Sequence, residues 1–244
     1  MTTSESSTLR VLKLGGSLLD LPDLPVQFKK YRELLTSFGP QRLLLVVGGG
    51  AAADVVREHN RLHDLGEHDG HWLAVRAMSF NAHCVARILN GSESHDADDT
   101  WPGCEVVASL EACTAVWADG KVAVVEPVAW LELMEQQGRQ LPRRWSFTSD
   151  SIAAAIALQT QADVLTLLKS TLPTKPLDTN AAALAGLVDD DFPMASRGVA
   201  QIELVNLRAA QPQVQQMPGS YARTNTPTAV PNSDRSDGSS DFTL

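Results

Sequence analysis

The chain reads as an α/β protein built on a mainly parallel sheet with helices on both faces. Three observations predict this. Short continuous apolar runs alternate with longer stretches of helical character, two of those runs pass directly into glycine loops, and 244 residues suffice for one large core. Hydrophobic residues make up 43% of the chain and charged residues 20%, which excludes collagen-like, disulfide-scaffold and wholly disordered classes.

The first strand is expected at Leu9 to Leu14, running into Gly15-Gly16-Ser17. Val26 to Phe38 has apolar residues at helical spacing and stops at Gly39-Pro40. The run Leu43 to Val47 is a second buried strand, opening into Gly48-Gly49-Gly50 and then a helix over Ala51 to His63. His71 to Leu89 continues as a long helix. Gly91 to Gly103 reads as an exposed acidic loop, and Glu105 to Ala108 and Val122 to Val125 as two short strands.

An alanine-rich helix is expected from Thr148 to Gln161, because Thr148-Ser149-Asp150-Ser151 are all residue types favoured at a helix start. The strand Val164 to Leu168 then delivers Lys169. Residues 1–211 form the expected catalytic domain. Residues 212–244 are dominated by Pro, Ser, Thr, Asn and Gln and read as a flexible tail, since they bury too little apolar surface to offset the cost of ordering.

A formal charge of −9 argues against holding nucleic acid on a broad basic surface, so an anionic small molecule would need a local positive site. Three cysteines without CxxC spacing suit free thiols in a reducing compartment. No apolar run is long enough to span a bilayer, and MTTSESSTLR lacks the pattern of a signal peptide. A soluble, cytoplasmic protein without nucleic-acid or membrane partners is the expectation.

Lys13-Leu14-Gly15-Gly16-Ser17 puts a cation at a strand end and bare amides just after it, a pattern that fits phosphate but also a plain βα turn. Gly48, Gly49 and Gly50 add a second set of amides at a helix N-terminus, where an anion is favoured, or else permit close packing of helix on strand. The sequence has neither a GxxxxGK[ST] loop nor a protein-kinase HRD and DFG pair. Asp150 lies where a carboxylate caps a helix; Lys169 ends a buried strand, where an ammonium calls for a carboxylate or phosphate partner. An acid between two lysines would aim both ammonium groups at a transferring phosphoryl group.

In these segments the sequence resembles the amino acid kinase superfamily, which includes acetylglutamate, aspartate, uridylate and isopentenyl phosphate kinases. The pieces that carry the resemblance are KLGGSLLD from Lys13, LLLVVGGGAAADVV from Leu43, FTSDSIAAAIA from Phe147 and VLTLLKST from Val164, in the family order. The resemblance implies a three-layer αβα sandwich, ATP towards the C-terminal half and the phosphoryl acceptor towards the N-terminal half. It implies that Lys13 stabilises the transferred group, that amides around Gly15, Gly16 and Gly49 hold it, that Asp150 organises the lysines and that Lys169 contacts nucleotide phosphate. Ser17 and Ser170 fall on the same phosphate side. Magnesium would arrive with the nucleotide, with no protein ligand assignable, and a homo-oligomer is expected. Many members follow the last strand with a TDVDG-like loop; here Ser170 to Thr174 stands instead, so adenine and ribose contacts do not carry over. TSDSIAA, LLKST and LVDDDFP look most like the archaeal-type branch containing the aminomethylfuran-methyl phosphate kinase of methanofuran synthesis, which implies a phosphate monoester as acceptor.

Arg57 fits two-point binding of a phosphate or carboxylate as well as it fits solvent exposure. His71 and Trp72 fit either a pocket for a small ring or packing at a helix start. His59 and His63, four apart, have the spacing of a shared helix face but not the HExxH pattern. The acidic runs Asp96, Asp98, Asp99 and Asp189, Asp190, Asp191 read as solvated loops. The leading functional expectation is an ATP-dependent kinase of a small phosphate-bearing metabolite. Its competitors are a kinase of a carboxylate or amino acid, and a non-catalytic relative that binds nucleotide or oxyanion.

Overall fold

A computed structural model describes residues 7–91 and 101–218. Seven strands form one sheet: β1 (Thr8–Leu14), β2 (Gln41–Val47), β3 (Cys104–Val107), β4 (Val122–Val125), β5 (Val164–Lys169), β6 (Ile202–Asn206) and β7 (Gln213–Gln216). Their spatial order is β3-β4-β2-β1-β5-β6-β7, parallel throughout except for β7 on the edge. The helices are α1 (Leu24–Thr36), α2 (Gly50–His63), α3 (Gly66–Asn90), α4 (Leu110–Ala118), α5 (Pro127–Gln136), α6 (Ser149–Gln159), α7 (Thr179–Leu184) and α8 (Phe192–Ala195), with a 3-10 turn at Gly16–Leu18.

The central strands are apolar on both faces because helices cover both. On β1, Leu9 and Val11 join one buried cluster with Ile152 and Ile156 of α6, while Leu12 and Leu14 join the other with Phe28 and Tyr31 of α1. Alternation of the strand thus sends successive residues to opposite cores. Helix α6 lies buried from Asp150 to Ala157, which its small alanines permit. This is the expected three-layer sandwich with a mainly parallel open sheet.

The folded region extends past residue 211, where the sequence reading ended it. Gln213–Gln216 pairs with β6, and Met217 is buried against the core. A glutamine-rich segment joins the sheet because an existing strand edge supplies its backbone partners. The remainder of the expected tail, and most of the acidic loop with Asp96, Asp98 and Asp99, lie outside the described residues. Cys84, Cys104 and Cys113 stand free, and burial pushes the thiols of Cys104 and Cys113 up to about 12.

Candidate active site

The parallel strands β1, β2 and β5 end side by side, and their carboxyl ends carry Lys13, the triglycine loop and Lys169. Such ends are where open parallel sheets bind ligands. Asp150, in the first turn of α6, is the hub. Its Oδ1 lies 2.9 Å from Lys13 Nζ, and Lys169 Nζ donates to both of its oxygens at 3.0 Å. Lys169 Nζ also donates to the Leu187 carbonyl at 2.7 Å. All three side chains are nearly removed from solvent. Burial opposes ionisation of Asp150, but the two ammonium groups outweigh it and hold the carboxyl below its ordinary range. Lys169 shifts the other way: burial, helped by repulsion from Lys13 and resisted by Asp150, lowers it to about 8.

Asp150 does not cap its helix. The cap comes from Asp189, whose Oδ2 accepts from the amides of Thr148 at 3.2 Å and Ser151 at 3.0 Å and from the Thr148 hydroxyl at 2.7 Å; the Ser151 hydroxyl donates to its other oxygen. The acidic run at 189–191 is therefore not a solvated loop as a whole. Asp189 serves α6, and Asp191 is buried and paired with Arg144 and Ser146, which leaves only Asp190 exposed.

The two glycine loops lock together. A Cβ on Gly16 would lie 2.6 Å from the Gly50 backbone, and Gly50 itself has φ +45°, so neither position accepts a side chain without strain. Asn81 of α3 fixes the second loop by donating to the carbonyls of Gly48 and Gly49 at 2.8 and 2.7 Å. The amides divide into two sets. Those of Gly15 and Gly48 are spent on the carbonyls of Leu168 and Leu14, which corrects the expectation that either amide is free for a ligand. Those of Gly16, Ser17 and Gly49 have no partner among the described residues.

Two cavities meet at Gly16 and Ser17. One, of about 400 Å³, is lined by Lys13, Asp150, Lys169, Ser170 and Asp189. Ser17 Oγ and Ser170 Oγ stand 3.3 Å apart across it. The other, of about 210 Å³, holds Gly49, Gly50, Arg57, His71, Met78 and Trp145 among its walls. Every residue assigned from the sequence except Gly48 therefore lines one cavity or the other. Gly48 lies behind, where a Cβ would meet Gly16 N at 3.0 Å. Of the expected His71 and Trp72 pair only His71 lines the cavity: Trp72 stands edge-on to it with ring centroids 6.3 Å apart and packs on the core, and Trp145 and Phe147 provide the aromatic wall. His59 and His63 stack on exposed surface of α2 with centroids 5.9 Å apart. Asn81, Arg144 and Trp145 carry no site expectation in the sequence, and Asp189 reads there as part of a solvated run; the Arg143-Arg144-Trp145 triplet just before the helix start is the one local signal.

The larger cavity suits the phosphates of a nucleotide, offering two ammonium groups, two hydroxyls and unpaired glycine-loop amides. It does not supply a magnesium site of its own, because Asp150 is committed to the lysines and Asp189 to α6. Among the described residues no three His, Cys, Asp or Glu side chains converge as metal ligands.

The sequence matches the amino acid kinase family over residues 8–171, and the chain belongs to that family. A uridylate kinase of Methanosarcina barkeri is 29% identical over 163 residues, covering 66% of this chain and 60% of that protein. The chain thus matches about three fifths of the length of that relative. Among solved structures, UMP kinase from Ureaplasma parvum superposes with a TM-score of 0.54 at 14% identity, covering 82% of this chain and 89% of that one. Aspartate kinase from Synechocystis gives 0.57 at 15%, covering 86% and 40%. These likenesses show the fold. No helix among the described residues is long and apolar enough to cross a membrane.

Proposed function

We propose that the protein is an ATP-dependent kinase that transfers the γ-phosphoryl group to a small phosphate-bearing metabolite. The observation that carries this reading is the pair of buried ammonium groups held by Asp150 at the floor of the larger cavity, beside unpaired glycine-loop amides. Two ammonium groups share one carboxylate while the nearby Asp189 is spent on the amides of α6, so in a place mostly shielded from water the floor presents ammonium N–H groups to an anion whose charge grows during transfer.

In this reading the acceptor lies in the smaller cavity and the nucleotide phosphates in the larger, meeting at Gly16 and Ser17. An oxygen of the acceptor's phosphate attacks the γ-phosphorus, a new P–O bond forms, the bond to the β-phosphate oxygen breaks, and ADP leaves with its electron pair. Lys13 and Lys169 neutralise the equatorial and bridging oxygens, and the amides of Gly16, Ser17 and Gly49 hold the group in line. Asp150 acts as a positioning residue. Magnesium, carried by the nucleotide, would supply further charge neutralisation.

A phosphate monoester ranks above a carboxylate because uridylate, the substrate named for the Methanosarcina relative, is itself a phosphate monoester. The resemblance of the TSDSIAA and LLKST segments supports the same ranking, and we propose methanofuran- or methanopterin-linked one-carbon metabolism as the setting of the reaction. A cytoplasmic homo-oligomer belongs to the same reading, supported by Leu73, Phe80 and Ile88 exposed along α3; sedimentation as a monomer would remove the oligomer. The test of the activity is an ATP-consumption screen of phosphate monoesters, carboxylates and amino acids with magnesium, products being followed by ³¹P NMR. Diphosphate formation from a monoester is expected. Robust turnover of an amino acid with none of any monophosphate would reverse the reading.

A further inference from the structure

The smaller cavity contains one polar group whose hydrogen-bonding state is fixed by its surroundings. His71, in the second turn of α3, is 4% exposed, and its Nδ1 lies 3.2 Å from the carbonyl oxygen of Arg144. A carbonyl oxygen only accepts, so Nδ1 carries the hydrogen. No carboxylate reaches the ring. The charged and titratable groups around it are Arg143 on the α5–α6 connection, His68 on its own helix and, further away, Glu135 of α5. Burial disfavours the imidazolium, Arg143 and His68 add to that, and together they outweigh the Arg144 carbonyl, which holds the proton, and Glu135. The ring is thus neutral at pH 7 with a bare lone pair on Nε2, and no described protein group donates to it.

The rest of the wall is mixed: Val75, Met78, Phe147 and Ile152 are buried apolar side chains, Ser17, Asp54, Thr148 and Ser149 add polar ones, and Trp145 stands beside Arg57, whose guanidinium lies 5.9 Å from the indole ring. A volume of about 210 Å³ falls under the range of about 300–1,000 Å³ common for ligand pockets. We infer that His71 is the specificity-determining residue of the acceptor site, and that the acceptor is a compact molecule presenting an N–H or O–H donor to its Nε2. The inference deepens the kinase reading by naming the chemical class of its acceptor, and rests on that reading for the place of the acceptor's phosphate. A buried Nε2 lone pair left facing an apolar group has no donor while Nδ1 stays bonded to the Arg144 carbonyl, so the site discriminates by what it leaves unpaired.

The test uses two phosphate monoesters of nearly equal shape, 4-(hydroxymethyl)benzyl phosphate and 4-ethylbenzyl phosphate, titrated calorimetrically into the full chain. The hydroxyl compound is expected to bind about tenfold more tightly, and His71→Leu to reduce that preference to within about twofold. Equal affinity for the two, no measurable binding of either, or a preference that survives His71→Leu would overturn the assignment. Should His71→Leu fail to fold, ¹⁵N spectra of the wild-type ring decide: the Nδ1–H tautomer is expected at pH 7, and an Nε2–H tautomer or an imidazolium overturns the assignment. The kinase reading fails separately, if ATP survives incubation with every monophosphate while the binding preference holds. If ATP is consumed equally well with both probes, the kinase reading stands and the role of His71 falls.

Discussion

Two buried charge clusters occupy the same pair of central strands, and they are balanced differently. Towards the amino end of the sheet, on the α1 face, Arg10 of β1 pairs with Glu203 of β6, and Glu203 also accepts from Thr166 at 2.8 Å, Tyr31 at 3.1 Å and Gln216 at 3.1 Å. Three residues further along β1 and β5, on the opposite face, Lys13 and Lys169 share Asp150. The first cluster sets one cation against one anion and surrounds the carboxylate with donors. The second sets two cations against the one carboxylate they touch, with Asp189 nearby but bonded to the amides of α6, and opens on a cavity. A balanced buried pair holds elements together; an unbalanced one asks for a ligand.

Breaking the balanced cluster should give the largest change, and it should appear in stability alone. Glu203→Gln leaves Arg10 buried without its carboxylate, which costs about 3–5 kcal/mol and lowers Tm by roughly 10 °C for a domain of this size. Turnover at 25 °C should stay near wild type. A comparable loss of kcat would mean that the two clusters are coupled and the contrast is false.

Asp150→Asn makes the opposite split. The side chain keeps its size, and the cap of α6 is untouched because Asp189 supplies it. The two ammonium groups lose the charge that aligns them, so kcat should fall about 100-fold or more. ATP affinity should stay within roughly tenfold, about 1.4 kcal/mol. Wild-type kcat on the true acceptor would take Asp150 out of the mechanism.

A third measurement probes the balanced cluster from the chain's edge. A protein ending at Gln211 lacks β7, the buried Met217 and the Gln216 contact to Glu203, whereas one ending at Pro218 keeps them. Burial of one methionine contributes about 1.5–3 kcal/mol, so the shorter chain should unfold at about 2 kcal/mol less. Equal denaturation midpoints for the two would make β7 a passive edge.

The sequence made the candidate-site half of this comparison legible and hid the other half. Lys13 stands out because it interrupts an apolar run one residue before its end, Lys169 because it closes one, and Asp150 because it opens a helix. Glu203 and Gln216 carry no such mark: β6 and β7 went unread, the latter being mostly glutamine, and the contacts that order them come from residues far away in the chain. The same holds for Asp189. Its partners lie 38 and 41 residues away, so nothing local separates a cap acting at a distance from a solvated acidic run. Helices α4 and α5 also went unread, although Glu126 with Pro127 is a helix-start signature that the structure uses, the Glu126 carboxylate accepting from Ala129 N at 2.6 Å.

The smallest predicted effect separates the clusters by pH. Lys169 titrates at about 8 in the folded protein against 10.5 ordinarily, chiefly because burial disfavours its charge. Between those values the unfolded chain keeps a proton that the folded one has released, so the stability contributed by this group rises as pH climbs from about 8 to 10.5, and its penalty is fully present below 8. Phosphate binding runs the other way, since the ammonium that attracts it disappears over the same window. Above pH 8, ATP affinity should therefore fall by up to about tenfold per pH unit while the protein itself resists unfolding slightly better. Calorimetric titration of ATP at several values between pH 6.5 and 9.5 reads the slope directly. Lys169→Arg retains its charge throughout that range and should bind ATP with a flat profile. Parallel slopes in wild type and Lys169→Arg would show that some other group titrates, and that the ammonium groups on Asp150 are not what the nucleotide meets.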